Sequence, residues 1–417
     1  MRTVLARSFL LLQGPPGPFY AMLADGLRRA GHRCYRVNFN GGDWMNWRGP
    51  AFNYRGTIEA WPAILSDLLE REQVTDIVLF GDCRPVHVVA RRIADERATT
   101  VHVFEEGYIR PDWVTLERGG VNGNSSLPKD PQVYLQLAES LPPVPDYPPI
   151  PASFRVRARE ASLYYFANWA LAPVFWRYRS HRPHGSFAEM IGWVGRMLRR
   201  PQARFRSYLA RKRIGARPYF VLPLQLDSDH QIRVHSPFAG MPDAIEAIIA
   251  SFARYSRTPH VLVVKEHPLD NGLKAWRPIV RESAARHGAP DRVVFIEHGD
   301  THDLIRTARG VVTVNSTTGT LALAAGKPVA VLGTAVYDLP GVTHQASLDD
   351  FWEHPGTPQL EIYDAFRRVL VAQCLLRGGF SSHAGRAHLV PSAVARLSAA
   401  SVAAATDEPM VVIKVPA

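Results

Sequence analysis

Short apolar runs alternate along most of the chain with segments whose apolar positions recur every three or four residues. Ser8–Gln13, Arg33–Val37, Asp76–Phe80 and Thr99–Val103 read as buried strands, with one-faced helices at Phe19–Ala30, Ile58–Arg71 and Pro85–Glu96 between them. Strand and helix in turn at this spacing predict a doubly wound parallel sheet. Asn122 to Pro151 breaks the pattern with an Asn/Gly/Ser stretch and a proline cluster, a natural boundary. A second series begins at Pro218–Pro223 and continues through Met241–Tyr255, His260–Val264, Leu273–His287, Arg292–Ile296, Thr301–Thr307, Gly310–Val314, Thr320–Ala325 and Pro328–Leu332. Helices follow at Gln359–Leu376 and Pro391–Ala405, then a disordered or edge segment at Pro409–Ala417. The expected class is therefore α/β with two Rossmann-like domains: residues 1–150, an insertion at 151–217, a second domain at 218–345, and C-terminal helices over 346–417.

Composition narrows the class. With 417 residues and 46% apolar content the chain can build two sizeable cores. Its three cysteines are far apart and match no metal spacing, which suits a reducing compartment. The basic start and short apolar run at Ser8–Leu12 lead into Gly14-Pro15-Pro16-Gly17, so a first strand and turn is expected rather than a signal peptide. No uninterrupted apolar stretch is long enough to span a bilayer.

Charge location changes the picture more than charge total. Residues 151–217 hold fifteen Arg/Lys against two acids, a net +13 in a chain of net +11, so the rest is nearly neutral. Aromatics are interleaved with these cations, among them Trp169 and Trp176. That mixture suits an interfacial helix on an anionic membrane or glycolipid, with Arg199, Arg200, Arg211 and Arg213 as contacts. The alternative is that the aromatics pack inward and the arginines are merely solvated. No nucleic-acid-binding motif accompanies the charge.

Candidate chemistry sits at predicted strand ends, the ligand-binding edge of open α/β sheets. Glu105 and Glu106 follow the strand Thr99–Val103 and precede Gly107, Tyr108 and Arg110; as a pair they could keep one member protonated, or be solvated loop acids. The prolines of Gly14–Pro18 remove the N–H groups a phosphate cradle needs, excluding a dinucleotide fingerprint there. Gly41-Gly42-Asp43-Trp44 and Gly81-Asp82-Cys83-Arg84 are lining candidates or ordinary turns. In the second series Lys265-Glu266-His267-Pro268 ends one strand, and the proline holds His267 extended. Asn315-Ser316-Thr317-Thr318-Gly319 ends another and opens a small-residue helix, a phosphate seat or a simple N-cap. Gln225 precedes Asp227-Ser228-Asp229, which could chelate a metal on a nucleotide diphosphate, place a carboxylate beside an anomeric carbon, or form a solvated turn. The non-metal role is preferred because the phosphate seat requires no chelate.

At Phe104–Ser126, Pro223–Phe238, Lys265–Pro268 and Asn315–Pro328 the chain resembles the KpsS/LipB-type capsule polysaccharide proteins, β-Kdo transferases of Gram-negative capsule assembly. More distantly, the trio of acid pair, His-Pro and Ser/Thr turn is similar to that of bacterial sialyl- and polysialyltransferases. The resemblance implies a GT-B arrangement of two facing Rossmann-like domains with a cleft between them. It also implies transfer of Kdo from CMP-Kdo, with retention, to a lysophosphatidylglycerol-type lipid at the cytoplasmic face of the inner membrane. His267 would then contact the CMP phosphate, Ser316 and Thr317 phosphate or ribose, and Asp229 would be the nucleophile, with Asp227 competing. Glu105 or Glu106 would be acid and base, while Lys265, Pro268, Gln225, Asn315, Thr318 and Gly319 complete the donor side and Arg110 the acceptor side. No cofactor or metal is expected, and other capsule assembly proteins are possible partners. The competing expectations are a non-catalytic scaffold of capsule export and a metal-dependent transferase using a nucleotide-diphosphate sugar.

Overall fold

A computed structural model of the chain describes residues 6–47, 49–151, 153–179, 185–226 and 230–399. In chain order it has β1 (Ser8–Leu11), α1 (Phe19–Arg29), β2 (Arg33–Asn38), α2 (Gly41–Met45), β3 (Phe52–Asn53), α3 (Trp61–Arg71), β4 (Asp76–Phe80), α4 (Pro85–Glu96), β5 (Thr100–Glu106) and β6 (Trp113–Arg118). Then come α5 (Pro131–Ala138), α6 (Phe154–Ala170), α7 (Ser186–Ile214), β7 (Tyr219–Pro223), α8 (His230–Val234), α9 (Met241–Tyr255), β8 (Val261–Lys265) and α10 (Trp276–Arg286). The chain continues with β9 (Val293–Ile296), α11 (Thr301–Thr307), β10 (Gly310–Thr313), α12 (Thr318–Ala324), β11 (Val329–Val331), α13 (Leu348–Phe351), α14 (Leu360–Gln373), β12 (Leu375–Arg377) and α15 (His383–Ala399). Two compact units result, one of residues 1–126, 144–181 and 369–417, the other of 127–143 and 182–368. Each carries a Rossmann-like sheet, so the α/β class holds.

The first unit's sheet has the order β12-β6-β5-β4-β1-β2-β3. β3 to β5 run parallel, while β6 lies antiparallel to both β5 and β12. Phe9, Leu11, Val78 and Phe104 pack from its strands against Phe19, Leu23 and Leu27, which recur at i, i+4 and i+8 along α1. α15 closes the same core with Leu389, Ala393 and Leu397. The second sheet is wholly parallel, in the order β11-β10-β7-β8-β9. Its core joins Phe220, Leu222, Leu262 and Val264 to Ile245, Ile248 and Phe252 of α9.

The boundaries differ from the expected ones for physical reasons. Within the expected boundary stretch Pro131–Ala138 forms α5, capped where the Asp130 side chain accepts the Gln132 N–H, ahead of the proline cluster, and residues 127–143 belong to the second unit. The basic stretch is no separate insertion: α6 lies in the first unit and α7 in the second. The tail helix stops at Gln373, and Leu375–Arg377 pairs with β6 as an added strand. Asp227, Ser228, Asp229 and residues 400–417, including the tail segment Pro409–Ala417, lie outside the described residues.

Candidate functional site

The acid pair is rearranged by the strand that carries it. β5 runs on through Glu105 and Glu106, opposite Thr115 and Val114 of β6, so consecutive side chains leave opposite faces. They cannot share a proton as a pair. The Glu105 Oε1 accepts the Glu106 N–H at 2.9 Å, and its Oε2 lies 3.3 Å from where a Cβ on Gly81 would sit. Its charge bears on Tyr20 and Cys83. Glu106 instead meets Arg110 at 3.5 Å and Arg157 at 3.9 Å, so Arg110, expected on the acceptor side, lies beside this acid.

Tyr108 points into the fold. Its hydroxyl donates to Glu117 of β6 and accepts the Asn122 N–H at 2.6 Å, while the Ser125 hydroxyl donates to the other Glu117 oxygen. Burial pushes the Glu117 carboxyl up to about 7. Asp82 accepts from the Val121 N–H and Asn124 Nδ2, both at 3.0 Å, and so pins the same loop from below.

Gly41-Gly42-Asp43 does not line an open edge. A Cβ on Gly41 would lie 2.2 Å from the Ala167 carbonyl oxygen, and one on Gly42 2.4 Å from the Tyr164 ring. α6 therefore rests directly on this turn, with the Tyr164 hydroxyl 3.2 Å from Asp43 and 3.0 Å from Asn40. Burial raises the Asp43 carboxyl against the pull of Arg36, whose Nη2 is 3.2 Å away. The two glycines are there for close approach.

In the second unit β10, β7 and β8 are adjacent and parallel, with the strand order reversing beside β7, the arrangement that opens a ligand crevice beyond the carboxyl ends. Gln225 and Asn315 bridge those ends: Gln225 Nε2 donates to Asn315 Oδ1 at 2.8 Å, and the Asn315 N–H donates to Gln225 Oε1 at 3.1 Å. Both amides thus hold the rim and are not spare ligand donors. The next turn is built by hydroxyls. Ser316 Oγ accepts the Thr318 N–H at 3.1 Å and donates to Thr318 Oγ1 at 3.0 Å. Thr317 starts α12 without a side-chain cap, and Gly319 is required because Tyr337 lies where a Cβ would go.

The Lys265–Pro268 loop departs from β8 one strand further. Lys265 is only 3% exposed, and its Nζ donates to the carbonyls of Glu266 at 2.7 Å and Glu297 at 3.4 Å. Burial lowers its amine to about 8. Lys265, expected on the donor side, ties the loops after β8 and β9 together. His267 Nδ1 accepts the Leu269 N–H at 3.1 Å, which assigns the ring proton to Nε2. Glu266, missed as a functional residue in the sequence, is pushed up to about 7 by burial while Arg196 sits 2.9 Å away.

Much of the basic segment is spent internally. Arg199 donates to Gly272 O at 3.2 Å, Arg206 grips Glu297 through two bonds at 3.0 and 2.9 Å, and Arg213 pairs with Asp291 at 2.6 Å. Arg211 covers Gly299, whose φ of +137° is a conformation that residues with a side chain rarely adopt. Arg200 is exposed. Trp169 and Trp176 are exposed in the first unit, the latter under the Arg177 guanidinium at 4.4 Å. Among the described residues no group of His, Cys, Asp and Glu could hold a metal, and no helix is long and apolar enough to cross a membrane.

Comparison with known proteins places this geometry. The sequence model of a family described as "Capsule polysaccharide biosynthesis protein" matches residues 75–381. The chain belongs to that family. It is 36% identical over 372 residues to the capsule polysaccharide export protein KpsS of Escherichia coli, covering 88% of this chain and 95% of that one. It is 33% identical over 388 residues to the capsule polysaccharide modification protein LipB of Neisseria meningitidis serogroup A, covering 90% and 92%. Among solved structures it overlays the β-Kdo 2,7 transferase of Thermosulfurimonas dismutans KpsC with a TM-score of 0.45 and 15% identity, over 95% of this chain and all of that one. For this capsule family member the matched region takes in both β5–β6 and the whole of the second sheet.

Proposed function

We propose that the chain is a glycosyltransferase that moves Kdo from CMP-Kdo to a lysophosphatidylglycerol-type lipid, with retention, at the inner-membrane surface. One observation carries the reading: at the carboxyl edge of the second sheet the His267 loop follows β8 and the Ser316 turn and Thr317 start of α12 follow β10, the two parallel strands that flank β7, with a rim bridged by Gln225 and Asn315. The resemblance of these motifs to the KpsS/LipB-type transferases supplies the donor.

In this reading His267 donates from Nε2 to the departing phosphate of CMP, where charge develops, and the hydroxyl turn shares that charge. Lys265 and Arg196 hold the loop that carries the imidazole. Departure from the tertiary anomeric carbon leaves an oxocarbenium-like centre, which Asp229, or Asp227 in its place, captures as a glycosyl ester. The acceptor hydroxyl then displaces that carboxylate while a general base takes its proton. By resemblance that base would be Glu105 or Glu106, the latter paired with Arg110 and Arg157.

The test is turnover of the purified full chain with CMP-Kdo generated in situ and a fluorescent lysophosphatidylglycerol, with and without EDTA. EDTA-insensitive transfer is expected. Transfer only from a UDP-sugar, abolished by EDTA, would contradict this reading in favour of the metal-dependent one, and no transfer from any donor would leave a scaffold of capsule export.

A further inference from the structure

α7 has two opposite faces with different tasks. Its inner face is bolted to the loops at the carboxyl edge of the second sheet. Arg196 reaches Glu266 at 2.9 Å, the His267 carbonyl at 3.3 Å and the Asp270 carbonyl. One helical face further along, buried Ser207 accepts the N–H groups of Glu297 at 3.2 Å and His298 at 2.9 Å. A Cβ on Gly192 would lie 2.5 Å from the Asn271 carbonyl oxygen, so the helix backbone touches the loop that follows His267. These contacts fall on one side of a 3.6-residue helix.

The other side is apolar and uncovered. Ile191, Val194, Leu198, Phe205 and Leu209 share one stripe, with Leu198 75% and Phe205 61% exposed. From Ser186 to Ile214 eight arginines and lysines stand against one acid, Glu189. At 100° per residue Lys212 falls within the arc of the stripe and Arg204 and Arg213 lie toward its two edges, while Arg199, Arg200 and Arg211 sit nearer the bolted face. An exposed apolar stripe on a helix that carries eight cations against one acid matches the surface of an anionic bilayer, with acyl chains under the stripe and phosphates beside the cations.

We infer that α7 couples lipid docking to the donor loop: seating its Leu198–Phe205 stripe in an anionic bilayer favours the Arg196-held conformation of Glu266–Asp270, and nucleotide binding is tighter on the membrane than in solution. This rests on the proposed CMP-sugar and membrane reading and adds a regulation to it. Coupling of two ligands is reciprocal, so CMP must tighten vesicle binding by the same factor that vesicles tighten CMP binding.

The experiment measures CMP affinity of the full chain with and without phosphatidylglycerol–phosphatidylcholine vesicles, and vesicle affinity with and without CMP. About a fivefold or greater gain is expected in each direction. Leu198→Glu with Phe205→Glu loses vesicle binding and the gain but keeps the CMP affinity of the vesicle-free protein. Arg196→Gln keeps vesicle binding and loses the gain. CMP affinity unchanged by vesicles that do bind the wild type overturns the coupling and leaves the membrane reading standing. Failure of the wild type to bind vesicles overturns the membrane docking itself, including the case of a protein partner on the stripe. Absence of CMP binding under both conditions overturns the donor reading.

Discussion

At the scale of single residues, the buried carboxyls carry the sharpest expectations. Glu117 is held in its protonated form well above the ordinary range, to about 7. A raised carboxyl pKa adds stability below its unfolded value and loses it as pH climbs through the folded one. Between about pH 5 and about pH 8 the wild type should therefore lose up to about 3 kcal/mol relative to Glu117→Gln, whose side chain has no charge to bury. Thermal melting of both proteins at the two pH values checks this; parallel shifts would mean that Glu117 is solvated in the native state. Glu117 was invisible in the sequence because β6 was: Trp113–Arg118 mixes apolar and charged residues, and one of its two partners, β12, lies more than 250 residues on. Lys265 and His267 were legible as strand-end residues. That the lysine turns to carbonyls and the imidazole proton lies on Nε2 is decided by the Glu266, Glu297 and Leu269 backbone, which no spacing rule reports.

At the scale of elements, the strand and helix alternation was plain because most elements are either fully buried or bury one stripe. What escaped was contact between elements. Gly41-Gly42 read as a lining candidate or an ordinary turn, yet its glycines answer to α6, more than a hundred residues on. Gly42→Ala must displace the Tyr164 ring and should cost about 1–3 kcal/mol, the range for overpacking a well-filled site. Tyr164→Phe removes the hydroxyl from Asp43 and Asn40 and should cost about 1–3 kcal/mol by leaving buried polar atoms short of a partner. Chemical denaturation measures both; unchanged midpoints for both variants would mean that α6 does not rest on this edge. The basic helix α7 shows the same limit. Its charge was evident, but the sequence could not say that Arg206 is claimed by Glu297 and Arg213 by Asp291.

At the scale of the whole molecule, the charge excess of residues 151–217 is divided between internal clamps and exposed cations. Arg200 is exposed, and Arg211 is exposed beside Gly299. Replacing both by alanine should weaken retention on phosphatidylglycerol vesicles at low ionic strength, with the difference shrinking as salt screens it. Equal retention of the double variant at low salt would remove electrostatics from the docking account. The central claim concerns the second unit alone: its switch-point edge binds and activates a CMP-linked sugar acid through His267. The most direct measurement is kcat/KM for Kdo transfer from CMP-Kdo to lysophosphatidylglycerol by the wild type and His267→Ala, with product mass confirming the added sugar. The account predicts a loss of about 100-fold or more in the variant, the scale of removing a donor to developing charge. Transfer by His267→Ala at a rate near that of the wild type would contradict it.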